Sequence, residues 1–157
     1  MELQTFNIEK ISILGNPIQL QMNENELEAV NEFCALENLQ FERIKFYAKA
    51  RIYNTEYTSK QYTKQKSRNN YSVYWDENFG HILFFLRYEN LVYAVVQELV
   101  SSFNDKTVSN KDIKFYNLFR SVRESFIISI IPLEAISGKF VKVKNEISCV
   151  INRCDKN

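Results

Sequence analysis

The chain has 157 residues, 45% of them hydrophobic and 25% charged, with a formal net charge of +1. These proportions exclude wholesale disorder, and a chain of this length can bury about two thirds of its unfolded surface without staples. The small net charge hides a step: Arg43 to Arg68 carries eight basic residues against Glu56 alone, a net +7, whereas Met1 to Glu42 carries Lys10 against eight glutamates, a net −7.

Met1 to Met22 is weakly patterned. Ile11, Ile13 and Leu14 predict a short strand before the Gly15-Asn16-Pro17 turn. Asn23 to Leu36 is the clearest helix. Asn23 and Glu26 have the spacing of a capping box, and Glu24, Glu26 and Glu28 suit the positive end of the helix dipole. Leu27, Val30, Phe33 and Cys34 follow the spacing of one apolar stripe.

Phe41 to Tyr53 alternates. Ile44, Phe46, Ala48, Ala50 and Ile52 fall on one face; Arg43, Lys45, Tyr47, Lys49, Arg51 and Tyr53 fall on the other. Period two over this length predicts one half-buried antiparallel strand with a basic, aromatic outer face. Asn54 to Asn70 is polar and basic, a long loop or a ragged pair of short edge strands.

The remainder reads as strands. Tyr71 to Trp75 leads into an Asp76-Glu77-Asn78 turn. Gly80 to Tyr88 and Leu91 to Val100 flank Glu89-Asn90 as a hairpin, the valines of the second favouring strand over helix. Ser101 to Asn110 is a polar loop, and Ile113 to Phe119 and Phe126 to Ile131 are strands. Pro132 closes the last of these and opens one helical turn. Phe140 to Val143 and Ile147 to Ile151 form a final hairpin around Lys144-Asn145-Glu146, and 153–157 is a tail. The expectation is one all-β domain over residues 1–157: a curved antiparallel sheet or small barrel of about eight strands, with one N-terminal helix packed across it.

Catalytic patterns are missing. There is no GxGxxG, GxxxxGK[ST] or GxSxG. His81 is the single imidazole and sits in an apolar strand, where a structural role is expected. No pair of acids stands out as an acid/base couple. Cys34, Cys149 and Cys154 make an odd count without CxxC, which fits free thiols in a reducing, intracellular setting better than disulfides or zinc. The expectation is therefore a non-catalytic chain with no metal and no cofactor. Met1 to Leu14 is acidic and lacks the apolar core of a signal peptide, and no apolar run approaches the ~20 residues of a membrane helix.

The basic block carries the functional reading. Alternate residues of a strand lie about 7 Å apart, which suits Arg43, Lys45, Lys49 and Arg51 to successive phosphates of a nucleic acid. Tyr47 and Tyr53 are candidates for stacking on bases, and Lys60, Lys64, Lys66 and Arg68 extend the cationic surface. The partner so predicted is DNA or RNA. Competing readings are a basic face that discourages edge aggregation, or one covered by the −7 segment, with a protein partner or a second copy as ligand. Tyr71, Tyr74 and Trp75 are dense enough for an aromatic cage, but alternation puts Tyr74 opposite the other two, so core packing is expected.

Two stretches carry a resemblance. Tyr57, Ser59, Tyr62, Lys66, Arg68, Asn69, Asn70, Tyr71, Val73, Gly80 and Ile82 form one pattern; Pro132, Leu133, Glu134, Cys149 and Asn152 form a second. In this order they resemble uncharacterised β-rich domains at the C-terminal end of transposon-derived proteins. The resemblance runs over the spans 41–86 and 130–157. It implies a DNA-transposon origin and nuclear residence, lends some weight to nucleic-acid association, and supplies no activity, ligand or catalytic residue. The zinc fingers and transposase core of a whole element protein are missing, so the chain is expected to correspond to one excised domain.

Overall fold

The computed structural model describes residues 10–62, 70–101, 119–143 and 146–148. The described residues form eleven strands and one α-helix. The strands are β1 (Ile11–Leu14), β2 (Lys45–Tyr47), β3 (Lys49–Ile52), β4 (Thr55–Thr58), β5 (Ser72–Trp75), β6 (Asn78–Tyr88), β7 (Leu91–Ser101), β8 (Phe119–Pro132), β9 (Gly138–Lys139), β10 (Val141–Val143) and β11 (Glu146–Ser148). The helix, α1, spans Glu24–Glu37. The predominantly β fold with one N-terminal helix is as expected. Among the described residues the strand number is higher than the expected eight, and the sheets form no closed barrel, which leaves the curved antiparallel sheet of the two expected forms.

All pairing among the described residues is antiparallel. A three-stranded sheet runs β1-β3-β4. An eight-stranded sheet runs β10-β11-β8-β7-β6-β5-β9, with β2 also paired to β6. The long strand β6 therefore has β7 along one edge and two short partners along the other: β5 at Asn78–His81 and β2 at Phe85–Arg87. The gap between them is closed at Ile82, whose carbonyl accepts from Lys60 N–H and whose N–H donates to the Tyr71 carbonyl, both at 2.8 Å. Backbone groups of β6 are thus satisfied across the break.

The large sheet is covered on both faces. On one face the small sheet contributes Ala50, Ile52 and Tyr57, which pack with Val73, Trp75, Ile82, Phe85, Ala94, Val96 and Leu133. On the other, α1 contributes Val30 and Cys34, which pack with Ile44, Phe84, Leu86 and Val95. Double coverage explains the unbroken apolar run of β6: a strand buried on both sides has no polar face to alternate with. The irregularity between Ile82 and Phe84 shifts the pairing with β7 and changes sides. Ile82 faces the small sheet, whereas Phe84, two residues on, faces the helix.

The helix starts as its sequence dictates. Asn23 Oδ1 accepts from Glu26 N–H at 2.8 Å, and Glu26 Oε1 accepts from Asn23 N–H at 3.1 Å, a complete capping box. Asn38 ends it in the left-handed region at φ 60°. Leu27 is 41% exposed, so the buried stripe is narrower than its spacing suggested and rests on Val30 and Cys34. Phe33 adds an edge-to-face contact with Tyr93 at 4.8 Å.

The single strand expected over Phe41–Tyr53 is divided. Phe41–Arg43 is a 3-10 turn, β2 joins the large sheet, the chain bends at Ala48, and β3 joins the small one. The expected Tyr71–Trp75 strand and the 80–88/91–100 hairpin are present as β5, β6 and β7. The turn after Pro132 is a 3-10 turn at Leu133–Ala135. The expected strand at Phe126–Ile131 is the end of the longer β8, and the last hairpin is β10–β11. Of the segment Asn54–Asn70, expected as a long loop or a ragged pair of short edge strands, Thr55–Thr58 is the short edge strand β4 and 63–69 lies outside the described residues, as do 102–118, which include most of the 101–110 loop and of the strand expected at 113–119.

Candidate functional site

The division at Ala48 splits the basic face in two. Lys49 and Arg51 alternate with buried Ala50 and Ile52 on β3, so they point away from the core, on the outer side of the small sheet. Arg51 lies opposite Glu56 of β4, and Lys49 opposite Thr58. Tyr53 follows in the two-residue turn between β3 and β4, 50% exposed. Its backbone is in the left-handed region at φ 57°, uncommon for a bulky side chain, and its N–H donates to the Lys10 carbonyl at 2.6 Å.

Arg43 and Lys45 belong to the other half. Lys45 pairs with Arg87 of β6, and Tyr47 with Phe85. Tyr47 and Phe85 pack in the core beneath the small sheet, and Tyr47 is 6% exposed. The sequence placed Tyr47 among the stacking residues; burial removes its ring from any flat stacking surface. The reason is the change of sheet: β2 lies in the large sheet, covered on both faces, so Phe46 packs beneath the helix and Tyr47 beneath the small sheet.

Arg43, Lys45, Tyr47, Arg87 and Glu89 line an open pocket of about 320 Å³. Arg43 Nη2 bonds Glu89 Oε2 at 2.5 Å, with both side chains more than half exposed. The Arg43 guanidinium also lies over the Tyr88 ring, 5.4 Å from its centroid. Arg87 Nε donates to the Glu89 carbonyl at 2.9 Å. Sequence reasoning missed Arg87 and Glu89. Nothing local marks them; they join the basic residues only through the pairing of β2 with β6.

Lys60 is half-buried, and its Nζ donates to Glu124 Oε2 at 3.2 Å. Lys64, Lys66 and Arg68 lie outside the described residues. The glutamates of α1 do not cover the described cations. The helix packs on the face of the large sheet opposite the small sheet, and no α1 glutamate is ion-paired to Arg43, Lys45, Lys49 or Arg51 among the described residues. Glu24, Glu28 and Glu32 instead line an acidic hollow on the outer side of the helix with Leu27, Asn31 and Ala35.

The remaining polar candidates are packed into the fold. His81 is 5% exposed, between the rings of Tyr71 at 5.2 Å and Phe140 at 6.4 Å. Trp75 is buried beneath the small sheet, while Tyr74 packs with Phe79 near Leu99 and Phe140, so the suspected cage residues diverge. Cys34 is buried under the helix, where loss of solvent, helped by Glu42, pushes its thiol pKa up. Among the described residues no three His, Cys, Asp or Glu side chains gather as a metal site, and no helix is long and apolar enough to cross a membrane.

One further surface is apolar. Between Gln97 and Leu99 of β7, three residues of β8 (Ser125, Phe126 and Ile127) span the place of one. Ser125 Oγ donates to the Glu98 carbonyl at 2.8 Å and accepts from Ile127 N–H at 3.1 Å, which fixes the bulge. Phe126 is left 86% exposed and Ile127 52% exposed.

Comparison with protein-family models, with curated proteins and with solved structures finds no match for this chain.

Proposed function

We propose that the protein is a non-catalytic nucleic-acid- or chromatin-associated module of the transposon-derived type that its sequence resembles, holding phosphates on the cations of β2, β3 and the neighbouring turns. The observation that carries this reading is the exposure of Lys45, Lys49 and Arg51 without an ion pair among the described residues, with the acidic helix on the far side of the large sheet. Arg43 adds to the half that carries Lys45, and exposed Tyr53 is the aromatic group left for stacking beside Lys49 and Arg51. Phosphate neutralisation releases counterions, so binding must weaken steeply with salt.

Fluorescence anisotropy with single- and double-stranded oligonucleotides across a salt series tests the reading. The double variant Lys49→Glu with Arg51→Glu is expected to weaken binding evenly across sequences and to flatten the logarithmic salt slope by about two. Absence of binding at low salt, or a slope untouched by the double variant, refutes it.

The second reading is a protein-interaction or self-assembly domain, and the Phe126–Ile127 bulge favours it. Sedimentation of the wild type and of Phe126→Ser compares the two readings: a concentration-dependent dimer abolished by the substitution supports self-assembly, and a strict monomer counts against it.

A further inference from the structure

The pocket around Glu89 holds more positive charge than a structural ion pair uses. Arg43 bonds the Glu89 carboxylate and Arg87 bonds its backbone carbonyl. Lys45 stands opposite Arg87 in register, on the same face of two paired strands. Directly opposed like charges in a sheet oppose pairing, so folding alone gives no reason for Lys45 and Arg87 to face each other. Three cations against one carboxylate leave a formal charge of +2 at the rim of a pocket of about 320 Å³. That volume is at the lower end of small-ligand sites. Buried Tyr47 lines its floor.

We infer that this pocket takes a phosphate monoester, the phosphorylated end of a nucleic-acid strand. A monoester carries about −1.5 to −2 at neutral pH and matches the excess charge, whereas an internal diester carries a single negative charge. The two guanidinium groups supply planar, forked donors suited to phosphate oxygens, and the Lys45 ammonium supplies a mobile point charge. Glu89 is the internal competitor. Its carboxylate occupies Arg43 in the free protein, and an arriving monoester displaces it. The inference rests on the nucleic-acid reading above and adds to it which part of the strand is recognised and where.

The test compares labelled single strands of one sequence that differ only in ending with a phosphate or a hydroxyl. The wild type is expected to prefer the phosphorylated end by about tenfold, the worth of one added charge-assisted contact. Arg87→Gln, at a pocket residue of β6 that is not among the strand-binding cations of β2 and β3, is expected to abolish the preference while salt-sensitive binding of both strands persists. Glu89→Gln, which frees Arg43, is expected to enlarge the preference, a gain that a misfolded variant cannot mimic. Equal binding of both ends by a wild type that still binds strands overturns the pocket and leaves the nucleic-acid reading standing. If neither strand binds, that reading falls, and the pocket is then judged by NMR titration of the arginine Nε–H signals with inorganic phosphate and with a phosphoserine peptide. Shifts at Arg43 and Arg87 with the peptide reassign the monoester to a protein ligand, and no shift with either probe overturns the site.

Discussion

At Gly80 in β6 a side chain has no room. A Cβ there would lie 2.3 Å from Val96 Cγ1, 2.7 Å from the Gln97 carbonyl oxygen and 3.1 Å from the Trp75 ring. The carbonyl belongs to the paired strand β7 and cannot turn aside, so relief requires the ladder itself to shift. Gly80→Ala is therefore expected to destabilise the fold by about 1–3 kcal/mol, the range for overpacking a filled core, read as a lower urea midpoint. Tyr53 shows the reverse conflict. Its left-handed backbone opposes an L side chain by about 1 kcal/mol, an opposition partly offset in any glycine variant by the greater freedom of the unfolded chain. Tyr53→Gly is expected to leave stability unchanged or raise it by up to about 1 kcal/mol. If the ring stacks on a base, the same substitution is expected to weaken single-strand binding by about 1–3 kcal/mol. Weakened oligonucleotide affinity with no fall in the urea midpoint is the signature; unchanged affinity removes Tyr53 from the interface.

Among the elements, α1 was the most legible, because everything that defines it is local: the Asn23–Glu26 box, the acidic first turn and the i, i+4 pair Val30 and Cys34. Removing the cap with Asn23→Ala is expected to destabilise the protein by about 1 kcal/mol, measured by thermal melting, with Asn23→Ser restoring most of the loss. The β6–β7 hairpin was legible for a similar reason, its two-residue Glu89-Asn90 turn lying between long apolar runs. The run from Phe41 to Tyr53 misled because its alternation is continuous in the sequence while its destination is not. Ile44 and Phe46 pack beneath the helix, whereas Ala50 and Ile52 pack beneath the small sheet. Both halves bury their apolar residues, so period two survives a break that moves the chain from one sheet to another. Tyr47 goes inward with the break, and a polarity pattern cannot register that. The pocket was half legible. Arg43 and Lys45 announce themselves in the basic block, but Arg87 and Glu89 arrive from much later in the chain, Glu89 lying 46 residues beyond Arg43, through strand pairing, and pairing partners are set by packing, not by spacing along the chain.

At the scale of the whole molecule the large sheet is a partition, with the acidic helix on one side and the small sheet, bearing Lys49 and Arg51, on the other. The helix side carries a pH dependence of its own. Cys34 and Tyr93 both belong to the layer between α1 and the sheet. Loss of solvent raises the pKa of each above its ordinary value of 9.0 for the thiol and 10.0 for the phenol. Glu42 adds to the rise at Cys34, and Glu37 and Glu134 add to it at Tyr93. In the unfolded chain these groups ionise first, so above pH 9.0 the unfolded state binds fewer protons than the folded state, and stability falls as pH rises. The contribution of Cys34 is complete below pH 9.0 and disappears as the pH passes its raised folded value; that of Tyr93 follows from pH 10.0 upward. Thermal melting across this alkaline range is expected to show a progressive drop in the melting temperature of the wild type. Cys34→Ala, which leaves a small void, is expected to melt lower at neutral pH yet with a shallower alkaline decline, so the two curves converge as pH rises. Parallel curves would mean that the thiol carries none of the dependence. The layer beneath the helix would then owe its alkaline sensitivity to Tyr93, whose phenol packs against Phe33 at the same interface, and Tyr93→Phe would be the variant that flattens the curve.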